Sequence, residues 1–322
     1  MYTVDDIALQ HHTITGLRTR IAELGEGPTV LFVHGWPECW YSWRHQMVAL
    51  ANAGYRTLAP DMPGFAGTDP LPAMEDYNIE RISAFLLELI DTRADAPIIL
   101  VGHDWGASNC WNFTLRHPEA VSKLVTMSVP LAARADRPPM ERMRELFGEN
   151  FFYQLYFQKP GIADAEFDAD PHGILSRLYC SPDTPREPPV LGPLASEGGG
   201  WIDRLGKPKE MPAWLSEQDL AYYIDTYRSS GFTGGLNYYR NLDRNWELMR
   251  PYDDRIITCP VLFLSGSDDS ATRKAPREKL EKLMANRVPS LRIRVLPNIG
   301  HWIQQEAADD VNQELLDFVR KR

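Results

Sequence analysis

The sequence is short of cysteine, with only Cys39, Cys110, Cys180 and Cys259 among 322 residues. They are scattered and form no Cys-x-x-Cys pair. This argues against a disulfide framework and fits small buried thiols in a reducing, cytoplasmic compartment. Positive charge is also in deficit: 34 Lys and Arg against 44 Asp and Glu give a formal net charge of −10. Such a balance argues against nucleic acid or an anionic membrane as a partner. No apolar run approaches membrane-spanning length. Met1 to Gln10 carries two aspartates and no apolar segment of the kind a signal peptide needs. Internal repeats and low-complexity tracts are absent, and nothing in the chain calls for a metal or another cofactor. The remainder is 43% hydrophobic and 24% charged, ordinary for a soluble globular protein and long enough for one large domain or two smaller ones. A monomer and a homodimer are equally compatible with it.

The chain is organised around Ile98 to Ser108. Four aliphatic residues, Ile98 to Val101, stop at Gly102, and His103, Asp104, Trp105 and Gly106 follow. Ala107, Cys110, Trp111 and Leu115 then recur at helical spacing. A buried strand therefore turns sharply into a helix with one polar side chain at the apex. That is the geometry of the nucleophile elbow written G-x-S-x-G, here with aspartate in place of serine. The flanking glycines leave room where a strained apex admits no Cβ. An aspartate there could instead cap the helix, but capping needs no glycine on either side. Chemically the replacement is decisive. A serine attacking a saturated carbon would form an ether, a dead end. A carboxylate forms an ester, which water can cleave, so Asp104 predicts covalent catalysis on an electrophilic sp³ carbon.

Around the elbow, strands alternate with helices. His11 to Gly25 reads as two strands about a turn at Gly16-Leu17. Strands follow at Thr29–Val33, Tyr55–Ala59, Ile98–Val101 and Lys123–Val129, with helices at about Trp43–Ala53 and Ile79–Asp91. The alternation implies a mostly parallel α/β sheet flanked by helices. It stops at Pro130. Helical patches, aromatics and a Pro/Gly-rich loop at Ser181–Pro212 fill the stretch to about Asp254. It resumes with Val261–Leu264, a helix around Arg277–Met284, Leu291–Leu296 and a helix from Ala308. That last helix starts on Asp309 and Asp310 and ends on Arg320, Lys321 and Arg322, which complements its dipole. A core of residues 1–130 and 253–322 with an inserted, mainly helical cap of residues 131–252 is predicted.

An ester intermediate needs a base for water and an acid to orient that base. Asp268 and Asp269 follow the strand Val261–Leu264, and His301 follows Leu291–Leu296. Nucleophile, acid and histidine thus come in chain order, each past the C-terminal end of a strand, where ligands of such sheets bind. Asp269 is assigned to hold the His301 imidazole, with Asp268 the alternative, and His301 to deprotonate water. The ester oxygen needs backbone N–H donors, predicted to come from Trp105 and from Trp36 in His34-Gly35-Trp36-Pro37. Pro37 lacks an N–H and can set a cis turn. His34 is read as a structural hydrogen-bonder.

His34-Gly35-Trp36-Pro37-Glu38, Gly102-His103-Asp104-Trp105-Gly106 and Gly300-His301-Trp302 together resemble the α/β-hydrolase-fold epoxide hydrolases. Phe152 to Gln158 and Ser230 to Asn241 are similar to cap segments of the soluble members, and the resemblance runs from about Gly27 to Phe318. It implies two cap tyrosines in the site, Tyr153 and Tyr239 by position, leaving Tyr156 and Tyr238 to packing. A neutral phenol can donate to the oxygen of an opening epoxide ring. The resemblance implies a small apolar epoxide as substrate. A haloalkane or haloacetate dehalogenase with the same Asp–His–Asp triad is the alternative enzyme, with Trp105 as a halide donor. A non-catalytic binding module is the alternative class, disfavoured because every catalytic role is filled.

Overall fold

A computed structural model of the chain describes residues 1–320. Lys321 and Arg322, expected at the basic end of the last helix, lie outside the described residues; the helix Ala308–Arg320 is present. The strands are β1 (Ala8–Ile14), β2 (Leu17–Leu24), β3 (Thr29–Val33), β4 (Arg56–Pro60), β5 (Ile98–His103), β6 (Val121–Met127), β7 (Val261–Gly266) and β8 (Leu291–Leu296). They form one eight-stranded sheet in the order β1-β2-β4-β3-β5-β6-β7-β8. β1 with β2 and β2 with β4 pair antiparallel; every pairing from β4 to β8 is parallel.

The unbroken apolar runs of β3, β5 and β7 explain their place: each is buried along its whole length, as a strand covered on both faces must be. Successive side chains point to opposite faces. Leu31, Val33 and Leu100 pack with Phe85, Leu89 and Trp111 on one side. Val30, Phe32 and Val101 pack with Met47, Leu50 and Leu315 on the other. Each such side chain contributes about 1.5–3 kcal/mol by leaving water. The helix Ile79–Arg93 begins where the Asn78 side chain accepts the N–H groups of Glu80 and Arg81.

Several strand ends differ from expectation, two of them for a local backbone reason. The first hairpin turns at Thr15-Gly16, both with positive φ (48° and 80°), so Leu17 already opens β2. Two-residue hairpins favour this backbone because it matches the strand twist. β6 covers Val121–Met127 rather than Lys123–Val129, because Ser128 turns to φ 68° and ends the ladder.

Between β6 and β7 the described residues form helices, with isolated bridges only and no strand. The helices lie over the loops that follow the parallel strands. Buried tyrosines hold them there. Tyr227 donates to the Glu38 carbonyl (3.0 Å), Tyr238 to that of Pro63 (3.2 Å) and Tyr223 to Gln305 Oε1 (3.1 Å). A buried phenol needs a partner, and two loop carbonyls and the Gln305 side-chain amide supply it. The stretch from Ser181 to Pro212 contains only the 3-10 turns Ala195–Glu197 and Ile202–Arg204. It is nonetheless pinned, because the Arg204 guanidinium donates to the carbonyls of Gly192, Leu194 and Gly198.

Candidate active site

Asp104 stands between β5 and the helix Trp105–Arg116 at φ 53°, ψ −119°, a conformation side chains rarely adopt. Two glycines permit it by close approach. A Cβ on Gly102 would run into the Gly106 carbonyl, and one on Gly106 into the carbonyls of Val33 and His34. The Asp104 side chain does not cap the helix. It turns to the loop after β3, where Oδ1 accepts the Trp36 N–H at 2.9 Å. A Cβ on Gly35 would come within 2.6 Å of that same oxygen, so only glycine leaves the carboxylate its place. Trp105 opens the helix, and its N–H has no intrahelical acceptor. Oδ2 faces His301 Nε2 at 3.7 Å.

His301 sits beyond β8. Its Nδ1 lies 3.0 Å from Oδ1 of Asp269, which follows β7 and is fully buried. Asp269 also takes the Ala271 N–H at 2.8 Å. Asp268 is turned away, toward Lys274 at 3.3 Å. A carboxylate only accepts, so Nδ1 carries the proton and Nε2 looks to Asp104. The three side chains form one line, joined by a hydrogen bond between His301 and Asp269 and by a longer charge contact between His301 and Asp104.

The remaining motif residues support the loops. His34 accepts the Met62 N–H at Nε2 (2.9 Å) and donates from Nδ1 to the Gly35 carbonyl (2.9 Å). Both its nitrogens are occupied by backbone, and burial holds its pKa below the ordinary value. His103 donates from Nε2 to the His301 carbonyl at 2.8 Å, and its Nδ1 meets Glu38 Oε2 at 2.8 Å. The Trp36–Pro37 peptide is cis, and the Pro37 carbonyl accepts the Tyr179 hydroxyl.

Burial opposes charge on each member of the Asp104–His301–Asp269 line, and mutual attraction outweighs it. Burial would push the Asp104 carboxyl up, but His301, His103 and the Trp36 N–H bring it below the usual range. Asp269 is likewise lowered, against burial, by His301. Burial would lower His301, but Asp269 and Asp104 raise it well above the ordinary histidine range. These directions favour the charged form of each member, an imidazolium between two carboxylates.

Tyr153 opens the short helix Tyr153–Tyr156, and Tyr239 lies in the helix Thr233–Arg240. Their ring centroids are 6.0 Å apart, and Tyr239 meets Trp105 edge to face at 5.1 Å. Tyr153 Oη accepts from Gln154 Nε2 at 2.9 Å, which leaves its own proton to give. Burial pushes Tyr153 up to about 12, and the Asp104 charge adds to the rise. Burial and Asp104 likewise raise Tyr239 well above the ordinary value. Both phenols are thus neutral at neutral pH. Tyr156 donates instead to Glu166 (3.0 Å) and Tyr238 to the Pro63 carbonyl (3.2 Å).

Several supporting residues escape the sequence reading. Glu306 accepts the N–H groups of both Gly300 and Trp302 at 2.9 Å and so brackets His301. Ser128 donates to the His301 carbonyl at 3.1 Å. Glu38 gathers Gly35 N–H (3.1 Å), His103 and Gln304 (2.7 Å) at one buried carboxylate. Glu38 alone carried a local signal, since it ends the motif His34 to Glu38.

The two aspartates give a direct test. Asp269→Asn removes the charge beside His301 and offers its Nδ1 a donor that favours the wrong tautomer. A loss on the order of 10⁴-fold in turnover is expected, as for the equivalent change in serine protease triads. Asp268→Asn removes only a partly exposed ion pair and is expected to change kcat little. Steady-state kinetics of both variants check this, and a larger loss at Asp268 would reverse the assignment.

An α/β hydrolase fold family model matches residues 28–166. Epoxide hydrolase A of Mycobacterium tuberculosis is 41% identical over 307 residues, 94% of each chain. Epoxide hydrolase 1 of Siraitia grosvenorii is 35% identical across 97% of this chain and 99% of its own. The crystal structure of epoxide hydrolase A from Mycobacterium thermoresistibile matches with a TM-score of 0.89 and 40% identity over 98% of both chains. Similar to these proteins along nearly its whole length, the chain belongs to the epoxide hydrolases, hydrolytic enzymes built on the α/β-hydrolase fold.

Proposed function

We propose that the protein converts a small apolar epoxide and water to a vicinal diol through a covalent ester on Asp104. The observation that carries this reading is the division of labour at the Asp104 carboxylate: Oδ1 is bound by the Trp36 N–H at 2.9 Å, while Oδ2 has only the 3.7 Å contact with His301 Nε2. One oxygen can then become the ester carbonyl and the other attack carbon. Residues 1–130 and 253–322 act as the core that carries Asp104, Asp269 and His301. Residues 131–252 act as a cap that brings Tyr153 and Tyr239.

In the first step Asp104 Oδ2 forms a bond to one epoxide carbon. The bond from that carbon to the ring oxygen breaks, and the electron pair goes to the oxygen, which takes a proton from Tyr153 or Tyr239. Esterification removes the negative charge of Asp104. One of the two carboxylates that raise the His301 pKa is thereby lost, so His301 gives up its proton, which returns through solvent to the phenolate. Neutral His301, held by Asp269, then takes a proton from water at Nε2, and the oxygen adds to Cγ of the ester. Charge develops on Oδ1, where the N–H groups of Trp36 and Trp105 stabilise it. On collapse the bond from Cγ to the substrate-bound oxygen breaks, that oxygen takes the proton of the added hydroxyl to become the second diol hydroxyl, and the Asp104 carboxylate is restored beside protonated His301. Atoms and protons balance as epoxide plus water giving diol.

His301→Gln separates the steps. It leaves Oδ2 and both tyrosines in place but removes the base for water. One equivalent of styrene oxide should be opened, after which the enzyme stalls as an ester whose added mass equals that of the substrate. Intact-mass measurement reads this. Wild-type enzyme given styrene oxide, a fatty-acid epoxide and a haloalkane should release diol from an epoxide. Halide release from the haloalkane without diol from either epoxide would make the protein a dehalogenase and overturn the proposal.

A further inference from the structure

We propose that Trp201 is the positioning residue for Tyr153, holding its phenol at the angle from which it meets the opening epoxide oxygen. This rests on the assignment of Tyr153 as a proton donor made above. The Trp201 ring lies flat against that of Tyr153, with centroids 4.8 Å apart and planes 8° from parallel. The other rings around Tyr153 meet it steeply: Phe152 at 60°, Phe157 at 71° and Tyr239 at 79°. Steep contacts leave a phenol room to tilt. A flat neighbour closes one face and fixes the plane of the ring, and with it the direction of the O–H.

The backbone gives Tyr153 little hold of its own. Its helix, Tyr153–Tyr156, is a four-residue turn, whereas Tyr239 lies inside an eight-residue helix and meets Trp36, Trp105 and Phe157. The phenol that most needs an external brace is the one that has it.

Trp201 is itself built in. It comes from the long stretch without helix or strand that the sequence reads as a loop. Its N–H donates to Glu166 Oε2 at 3.1 Å, and that of Ile202 to Oε1 at 2.9 Å. The Tyr156 hydroxyl, from the same turn as Tyr153, donates to this carboxylate at 3.0 Å. Glu166 therefore ties the backbone of Trp201 to the helix of the residue it braces. The Trp201 ring is also near-parallel to that of Trp36, at 6.1 Å and 15°, and the Trp36 N–H faces Asp104. A single indole thus sets the cap tyrosine against the core loop that holds the nucleophile.

The test measures alkylation and ester hydrolysis separately, by rapid quench with intact-mass detection of the alkyl-enzyme and styrene oxide as substrate. Trp201→Leu and Trp201→Phe are made in wild type and in Tyr153→Phe. Leucine fills space without a plane and should slow alkylation by up to about 10²-fold, the cost of a misplaced reacting group. Ester hydrolysis should be unchanged. Phenylalanine keeps a flat ring and should restore most of the alkylation rate. In the Tyr153→Phe background Trp201→Leu should add no further loss. Normal alkylation by Trp201→Leu while Tyr153→Phe is slow overturns the proposal and spares the role of Tyr153. So does an equal loss in both backgrounds, since Trp201 would then act without the phenol. A Tyr153→Phe enzyme that alkylates at the normal rate removes the donor assignment and the brace with it.

Discussion

Asp104→Ala is expected to abolish turnover while the protein stays folded. In the proposed reaction every later step passes through the ester on Asp104, and neither neighbouring carboxylate can replace it: Asp269 is fully buried behind His301, and Asp268 is paired with Lys274. Removing a covalent nucleophile from a comparable triad costs on the order of 10⁶-fold in kcat. The fold should tolerate the change. Alanine and aspartate face the same backbone restriction at φ 53°, and Gly102 and Gly106 still provide the space. The freed Trp36 N–H can be reached by water, since the Asp104 side chain is 16% exposed. Diol formation and circular dichroism on the same preparation check both halves of this expectation.

The second large effect is expected from Tyr153→Phe/Tyr239→Phe. Ring opening leaves an alkoxide, and an alkoxide departs poorly unless it is protonated or hydrogen-bonded. Both phenols are neutral at neutral pH, and both lie near enough to Asp104 to feel its charge. Either alone can donate, so each single change should slow alkylation without eliminating it, within the ~10²–10⁴-fold range of one general acid. The double change should be far worse than either, because no donor remains. Ester hydrolysis should be spared, since it depends on His301, Asp269 and the backbone donors. Pre-steady-state tryptophan fluorescence, with Trp36 and Trp105 beside the nucleophile, separates the two rates. A double variant with near-normal alkylation would remove the main ground for choosing epoxides over halides.

Much of this arrangement was legible because its signals are local. The aliphatic run into Gly102 announces a covered strand, and the two glycines announce a strained apex with Asp104 on it. Parallel strands place whatever follows them at one edge, so the order Asp104, Asp269, His301 already predicts that the three meet. Local sequence does not separate Asp269 from Asp268; the structure puts Asp269 at 3.0 Å from His301 and turns Asp268 to Lys274. What stayed hidden depends on contacts between distant residues. No local pattern says that Glu166 will gather Trp201 and Ile202, or that Glu306 will bracket His301. The turn falls at Thr15-Gly16 rather than Gly16-Leu17, with β-branched Thr15 at a positive φ that such residues rarely take. The end of β6 is likewise set by a positive φ, at Ser128.

Isotope transfer separates attack by Asp104 from direct attack by water. Enzyme in excess is mixed with styrene oxide in ¹⁸O-water for a single turnover. If Asp104 attacks carbon, the first diol takes its new oxygen from the carboxylate and carries no solvent label, while ¹⁸O appears in the peptide containing Asp104. If water attacks the epoxide directly, the first-turnover diol carries ¹⁸O and the peptide none, and Asp104 is then not the nucleophile.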